Sequence, residues 1–198
     1  MTTTGVLMQR EAISGVILAG GLGRRMGGVD KGLQQLNGKP LVQHVAERLA
    51  PQVDELLINA NRSQSDYATL GYRLIGDAMP DFPGPLAGLH AALSASTTPF
   101  VVTAPCDSPY LPLDLVARLH AALGQPGGQL AIATAGGRQH PVFCLCHRDL
   151  LAPLAHFLNN GGRKVMQWCA ESGAIEVDFS EQPDAFRNFN TLDDLSSH

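Results

Sequence analysis

The sequence predicts an α/β fold: a single-domain, three-layer α/β/α architecture with a mostly parallel sheet and a small antiparallel part. Short β-rich apolar runs alternate along the 198 residues with longer segments of helical period, the pattern of parallel strands joined by crossover helices. Five of those runs end directly in polar or glycine-rich segments, as strands do at the carboxyl edge of an open sheet that binds ligands. Hydrophobic residues make up 44% of the chain, enough at this length for one substantial core.

Taken in order, strands are expected near 15–19, 54–59, 73–76, 99–104, 129–134, 141–146 and 174–178, each an apolar run too short for a helix. Helices are expected at about 41–50 after Pro40, 85–96 from Pro85, 112–123 from Pro112, 148–158 and 162–171. Proline at or near three of these starts fits its preference for the first helical turn. Segments 141–146 and 174–178 are expected to run antiparallel, because residues 124–140 are too rich in glycine and too short for another crossover helix. Residues 1–12 read as an N-terminal extension, expected to be flexible, and 13–198 as one domain without repeats or linkers.

Charge and composition exclude several classes. Against 18 acidic residues stand 14 basic ones with no basic run, which disfavours nucleic acid as a partner. The first dozen residues lack a basic segment followed by an apolar core, and no apolar run approaches about 18 residues, so a cytoplasmic protein with no membrane partner is expected. Four cysteines, Cys106, Cys144, Cys146 and Cys169, show no paired spacing and are expected as reduced thiols. Cys144 and Cys146 alternate on one strand face, where burial as small hydrophobes is favoured over a soft-metal site.

The chemistry begins where the first strand ends. Residues 16–31 break from an apolar run into a loop with five glycines, two arginines and a lysine. Glycines let backbone N–H groups approach an anion, while arginine and lysine neutralise its charge, so a polyphosphate ligand is expected. Two commoner glycine motifs fail on spacing. After Gly21 and Gly23 the dinucleotide fingerprint is broken at Met26, and the next strand ends in Asn59 rather than an acid. Gly38-Lys39 is followed by Pro40, with Leu33 where a P-loop needs its first glycine.

What remains is Leu18-Ala19-Gly20-Gly21, then Arg25-Met26-Gly27 and Lys31. This resembles the signature of sugar-nucleotide and cofactor nucleotidyltransferases, which direct attack on the α-phosphate of a nucleoside triphosphate and release pyrophosphate. Over residues 13–195 the chain is similar to the molybdenum cofactor guanylyltransferase family, the molybdopterin-guanine dinucleotide synthases. The resemblance implies a nucleotidyltransferase fold with a Rossmann-like sheet. It also implies transfer of GMP from GTP to the phosphate of molybdopterin or Mo-molybdopterin, with Mg²⁺ as cofactor. Molybdenum-insertion proteins and molybdoenzyme chaperones enter as partners on the same ground. Two rivals stay open: a related enzyme using CTP or a sugar phosphate, and a nucleotide-binding or partner-docking protein without chemistry.

Asp107 stands past Phe-Val-Val-Thr-Ala-Pro-Cys in a turn held by Pro105 and Pro109. A magnesium ion bridging triphosphate oxygens needs only one or two carboxylates, and the resemblance places the metal ligand on Asp107. The alternative is an Asp that shapes the turn or caps a helix near Pro112. Lys31 is one of three lysines and closes the glycine loop, where it is expected to neutralise phosphate, with a solvated surface lysine as the alternative. Arg25 is expected to hold the β- and γ-phosphates and the departing pyrophosphate, with Arg24 a surface neighbour. Arg25, Lys31 and Asp107 are the candidate catalytic residues.

For the base, Asn59 and Asp77 end strands, and a carboxylate accepts from both N1–H and N2–H₂ of guanine. Backbone groups of Leu18, Ala19, Gly20 and Gly21 complete the nucleotide contacts, and turn formation is the competing role for Asn59 and Asp77. Guanine over cytosine rests on the resemblance, because related cytidylyltransferases carry Leu-Ala-Ala-Gly where this chain has Leu-Ala-Gly-Gly. Gly84 and Gly88 either line the second substrate or belong to a plain connection. Asn188 and Asn190 are implied for molybdopterin, with capping and turns as the alternative, and Thr191 is placed to cap a final helix. Arg163 and Lys164 face either the acceptor phosphate or solvent, and neither His140 nor His147 is given a catalytic role. An attacking phosphate is already ionised, so no general base is needed.

Overall fold

Alternation along Ile13–Leu18, the first strand (β1), sets the layers: Ile13 and Ile17 face one side and Val16 the other. The computed structural model describes residues 11–20, 30–77 and 84–189. After β1 come the short strands β2 (Gln35–Leu36) and β3 (Lys39–Pro40), then α1 (Leu41–Leu49), β4 (Glu55–Asn59), α2 (Gln64–Ala68) and β5 (Arg73–Ile75). Next follow α3 (Pro85–Ala95), β6 (Phe100–Pro105), α4 (Leu115–Leu123), β7 (Leu130–Ala135) and β8 (Arg138–His147). The last elements are α5 (Leu151–Asn159), α6 (Val165–Glu171) and β9 (Ile175–Asp178).

A seven-stranded sheet has the order β5-β4-β1-β6-β8-β7-β9. Every strand runs the same way except β8, which is antiparallel to both β6 and β7. The α/β/α expectation holds, and segment 141–146, within β8, is antiparallel to its neighbours as expected; segment 174–178, β9, runs antiparallel to β8 but parallel to β7, the strand it pairs with. Two successive helices, α5 and α6, separate β8 from β9, and the chain re-enters the sheet on the far side of β7.

Helices α1 and α4 cover one face of the sheet, burying Val42, Val45, Leu49, Leu115 and Leu119 against Ile17, Ile58 and Val102. Helices α3, α5 and α6 cover the other, against Val16, Leu57, Val101 and Ile132. Helix α1 buries Leu41, Val42, Val45, Ala46 and Leu49, the stripe of an amphipathic helix with one face in the core. Helix α3 instead buries seven of its eleven residues, so this helix is apolar nearly all round.

Local chemistry accounts for the departures from expectation. Asn37 (φ 52°) and Gly38 (φ 76°) form the two-residue turn between β2 and β3, both in the left-handed region that an Asn-Gly hairpin uses. Strand β8 extends to ten residues, but its register against β7 slips between Ile132 and Ala133, opposite Pro141. Proline cannot donate to the ladder, and the Val142 carbonyl displaced there accepts from Thr103 Oγ1 at 2.7 Å. Helix α4 begins at Leu115 rather than Pro112, after a single turn closed by Leu115 N–H on the Pro112 carbonyl. Helix α2 was not expected; its Tyr67 is fully buried.

All four cysteines are free and buried, and burial pushes the thiols of Cys106 and Cys169 up, the latter to about 12. Cys144 and Cys146 face the α3, α5 and α6 side together with Cys169. Among the described residues no helix is long and apolar enough to cross a membrane.

Because β1, β4, β5, β6 and β7 are mutually parallel, their carboxyl ends share one rim. From β1 the chain builds β4 and β5 to one side, then returns to place β6 on the other. The crevice opens at that reversal, between the ends of β1 and β6. Leu57 lies in the middle of β4 and is fully buried. Leu57→Ala is expected to lower unfolding free energy by about 2–5 kcal/mol, read as a shift in the urea midpoint at unchanged m-value.

Candidate active site

Strand β4 delivers Asn59, 2% exposed, to the rim beside the end of β1. Its amide Nδ2 donates to Asp77 Oδ1 at 2.9 Å. Two residues on, Asn61 Nδ2 donates to Asp77 Oδ2 at 2.6 Å, and Asn61 Oδ1 accepts the Asp77 backbone N–H at 2.8 Å. Two amides thus fix the plane of the Asp77 carboxylate. Each oxygen keeps a second lone pair, so two acceptor positions remain for a ligand that presents adjacent donors.

The surroundings of this carboxylate are cut close. A Cβ on Gly20 would lie 3.0 Å from Asn61 Nδ2, 3.4 Å from Asn59 Oδ1 and 3.9 Å from Asp77 Oδ2. Gly88, inside α3, would set its Cβ 2.9 Å from both Asn59 Oδ1 and Leu18 Cδ2. Glycine at the two positions lets backbone stand where a side chain would press on the Asn61 amide, from Gly20, or displace the Asn59 amide, from Gly88.

At the end of β6 the Cys106 N–H donates to the Leu18 carbonyl at 3.1 Å, which brings Asp107 to the crevice. Facing it is Lys31, whose Nζ lies 3.3 Å from Asp107 Oδ2, with side-chain exposures of 27% and 13%. Partial burial screens this pair less than an open surface pair. Lys31 opens a single 3₁₀ turn, Lys31–Leu33, capped by Asp30, whose Oδ1 accepts the Gly32 N–H at 3.2 Å.

The segment around Asn188 and Phe189 docks on the turn that carries Asp107 and Ser108. Ser108 Oγ donates to Asn188 Oδ1 at 2.6 Å, and Phe189 N–H donates to the Asp107 carbonyl at 2.9 Å. The Phe189 ring is buried with Leu36, Leu41 and Tyr110, which anchors the segment. His140 stacks on Phe186 at 4.8 Å, and burial followed by the nearby Arg138 charge holds its imidazole below the usual range. Arg163 donates to the carbonyls of Leu158 and Gly162 at the end of α5, and Lys164 precedes α6 as an exposed cap residue.

Of the residues singled out by sequence, the fold brings Leu18, Ala19, Gly20, Asn59 and Asp77 into one cluster and Lys31, Asp107 and Asn188 into a second on the same rim. The Ala19 N–H donates to the Asn59 carbonyl at 2.8 Å and the Leu18 carbonyl accepts from Cys106, so these backbone groups also tie the strand ends together. Gly21, Arg24, Arg25, Asn190 and Thr191 lie outside the described residues. Sequence reading missed Asn61 as a site residue. The signal was its spacing of two from Asn59, which returns a second amide to the same side of an extended chain. Among the described residues no three His, Cys, Asp or Glu side chains gather into a metal cage.

Comparison with known proteins places this chain in a family. The MobA-like NTP transferase domain matches residues 15–174. A molybdenum cofactor guanylyltransferase from Cupriavidus necator is 50% identical over 197 residues, covering 97% of this chain and 98% of that one. Its counterpart from Haemophilus influenzae is 45% identical over 183 residues, covering 92% and 95%. Among solved structures, the molybdopterin-guanine dinucleotide biosynthesis protein A from Archaeoglobus fulgidus superposes with a TM-score of 0.76 at 24% identity, covering 92% of this chain and 95% of that one, and shares the fold. With a family model over most of its length and relatives near half identical across almost all of theirs, the chain belongs to the MobA-like NTP transferases, and within them to the nucleotidyltransferases named molybdenum cofactor guanylyltransferase.

Proposed function

We propose that the chain transfers GMP from GTP to the terminal phosphate of molybdopterin, or of Mo-molybdopterin, and releases pyrophosphate. The observation that carries this reading is the placing of the amide-held Asp77 carboxylate and the Lys31–Asp107 pair on one rim, at the reversal of strand order. A base-reading acceptor and a charge-handling pair are what a nucleotidyl transfer needs side by side.

Base choice follows from the two acceptor positions left on Asp77. Guanine presents N1–H and N2–H₂ as adjacent donors, whereas cytosine and adenine set one donor beside a ring-nitrogen acceptor that a carboxylate repels. In the transfer, an oxygen of the acceptor phosphate forms a bond to the α-phosphorus of GTP. The bond from that phosphorus to the bridging oxygen breaks, and its electron pair leaves with pyrophosphate. Lys31 neutralises charge on the triphosphate, and Arg25 is assigned the β- and γ-phosphates. Asn188, held beside Asp107 by Ser108, is assigned with Asn190 to the pterin.

Asp107 suits a magnesium ion: it offers a hard oxygen donor at the crevice, and this ion takes one or two carboxylates and completes its shell with phosphate oxygens and water rather than a protein cage. Bound there, the ion would withdraw charge from the triphosphate. Asp107, Lys31 and Arg25 then do the remaining work of positioning and neutralising, and no general base is required.

Asp107→Ala is expected to lower magnesium-dependent pyrophosphate release by about a hundredfold or more, with the thermal midpoint nearly unchanged. The assay pairs each nucleoside triphosphate with and without molybdopterin. Response to GTP with molybdopterin supports the proposal. Response to CTP or a sugar phosphate instead, silence with every pair, or full activity in Asp107→Ala overturns it. Gly88→Ala drives a Cβ into the Asn59 amide and is expected to weaken GTP binding about tenfold, measured as Kd by titration, by costing Asp77 one of its aligned donors.

A further inference from the structure

Tyr67 stands on α2, a helix outside the rim, yet its side chain is fully buried and reaches under the charge-handling pair. Its hydroxyl donates to Asp30 Oδ1, the atom that also accepts the Gly32 N–H. Asp30 and Gly32 flank Lys31 in the chain. On its other side the same pocket holds Cys106, which precedes Asp107: a Cβ on Gly32 would strike the Tyr67 hydroxyl and lie 3.3 Å from both Cβ and Sγ of Cys106. One phenol therefore bonds the residue before Lys31 and shares a tight pocket with the residue before Asp107.

The helix that carries Tyr67 is itself tied to the base-reading loop. Gln64 Nε2 donates to the Ala60 carbonyl at 3.2 Å, between Asn59 and Asn61. Burial, with Cys106 and Asp30 adding to it, raises the phenol far above its usual range, so the hydroxyl stays a donor at any working pH. A buried tyrosine ring needs only apolar contact, and its hydroxyl needs only one acceptor. Here that acceptor is the carboxylate that caps the Lys31 turn.

We infer that Tyr67 is a positioning residue for nucleotidyl transfer: through Asp30 it fixes the 3₁₀ turn that aims Lys31 at Asp107. The inference rests on the role assigned to Lys31 above, and it concerns a residue that touches neither nucleotide nor acceptor.

The test is a double-mutant cycle of Tyr67→Phe and Lys31→Ala, followed by the Kd for GTP in the presence of Mg²⁺, by kcat and KM with molybdopterin, and by the thermal midpoint. Phenylalanine keeps the ring in the core and removes only the hydroxyl. Tyr67→Phe is expected to lower kcat/KM by about tenfold while the protein stays folded, and to have no further effect on kcat/KM or on the GTP Kd once Lys31 is alanine. A loss of the same size in both backgrounds shows a merely structural tyrosine and overturns the inference. Full activity of Tyr67→Phe beside a crippled Lys31→Ala overturns it as well, leaving the role of Lys31 intact. Full activity and unchanged GTP affinity in Lys31→Ala alone overturns the reading on which it stands.

Discussion

Backbone hydrogen bonding does not stop where the strands of the rim stop. Ala19 N–H donates to the Asn59 carbonyl, Ala60 N–H to the Ile75 carbonyl, and Cys106 N–H to the Leu18 carbonyl, each one step past a strand end. These three bonds make the site loops extensions of the sheet. Asn59, Asp77 and Asp107 then inherit the rigidity of β4, β5 and β6, and a site built on strands holds its geometry better than one on free loops. The Asn59–Asp77–Asn61 network and the Lys31–Asp107 pair both depend on this continuation.

Rigidity at the rim comes with tight volume. Gly20 and Gly88 approach one amide from two sides, and Gly32 closes on Tyr67 and Cys106. No side chain fits at any of the three without moving a polar group that the site uses. The helix carrying Gly88 is buried nearly all round, so its apolar packing presses this contact from behind. Core packing and site geometry are here a single constraint, so a methyl group added at Gly88 presses on the Leu18 side chain and the Asn59 amide alike.

Much of this was legible in the sequence because the physics is local. Apolar runs of strand length ended in Gly20, Asn59, Asp77 and Asp107, and parallel topology alone gathers such ends on one edge. Lys31 was legible from its place closing the glycine loop. Tyr67 was not: Gln64–Ala68 has a single buried residue, so no periodicity marks the helix, and its hydroxyl meets Asp30 only after a parallel crossover. The pairing of β9 escaped for a related reason: both helices before it were legible, but only tertiary packing decides that the chain re-enters the sheet beside β7. The Asn37-Gly38 hairpin carried its turn signal openly, but two-residue strands leave no alternation to read.

Electrostatics explains why the pair should be closed before any ligand arrives. The chain carries a formal charge of −4, unfavourable for a polyanion unless positive charge is concentrated locally. Away from the rim, Lys39 pairs with Glu47, Arg73 with Glu55 and Arg118 with Glu181 on the exposed surface. Lys31 is committed to Asp107, the residue assigned to a cation. Together they are neutral, so neither is left half-buried and unpaired while the site waits. A ligand that brings charge of both signs replaces each partner with one of the same sign, and the desolvation that the crevice imposes is then met in both states. A bare triphosphate satisfies only Lys31 and leaves Asp107 facing an anion, so charge balance within the pair itself favours a triphosphate accompanied by its own cation.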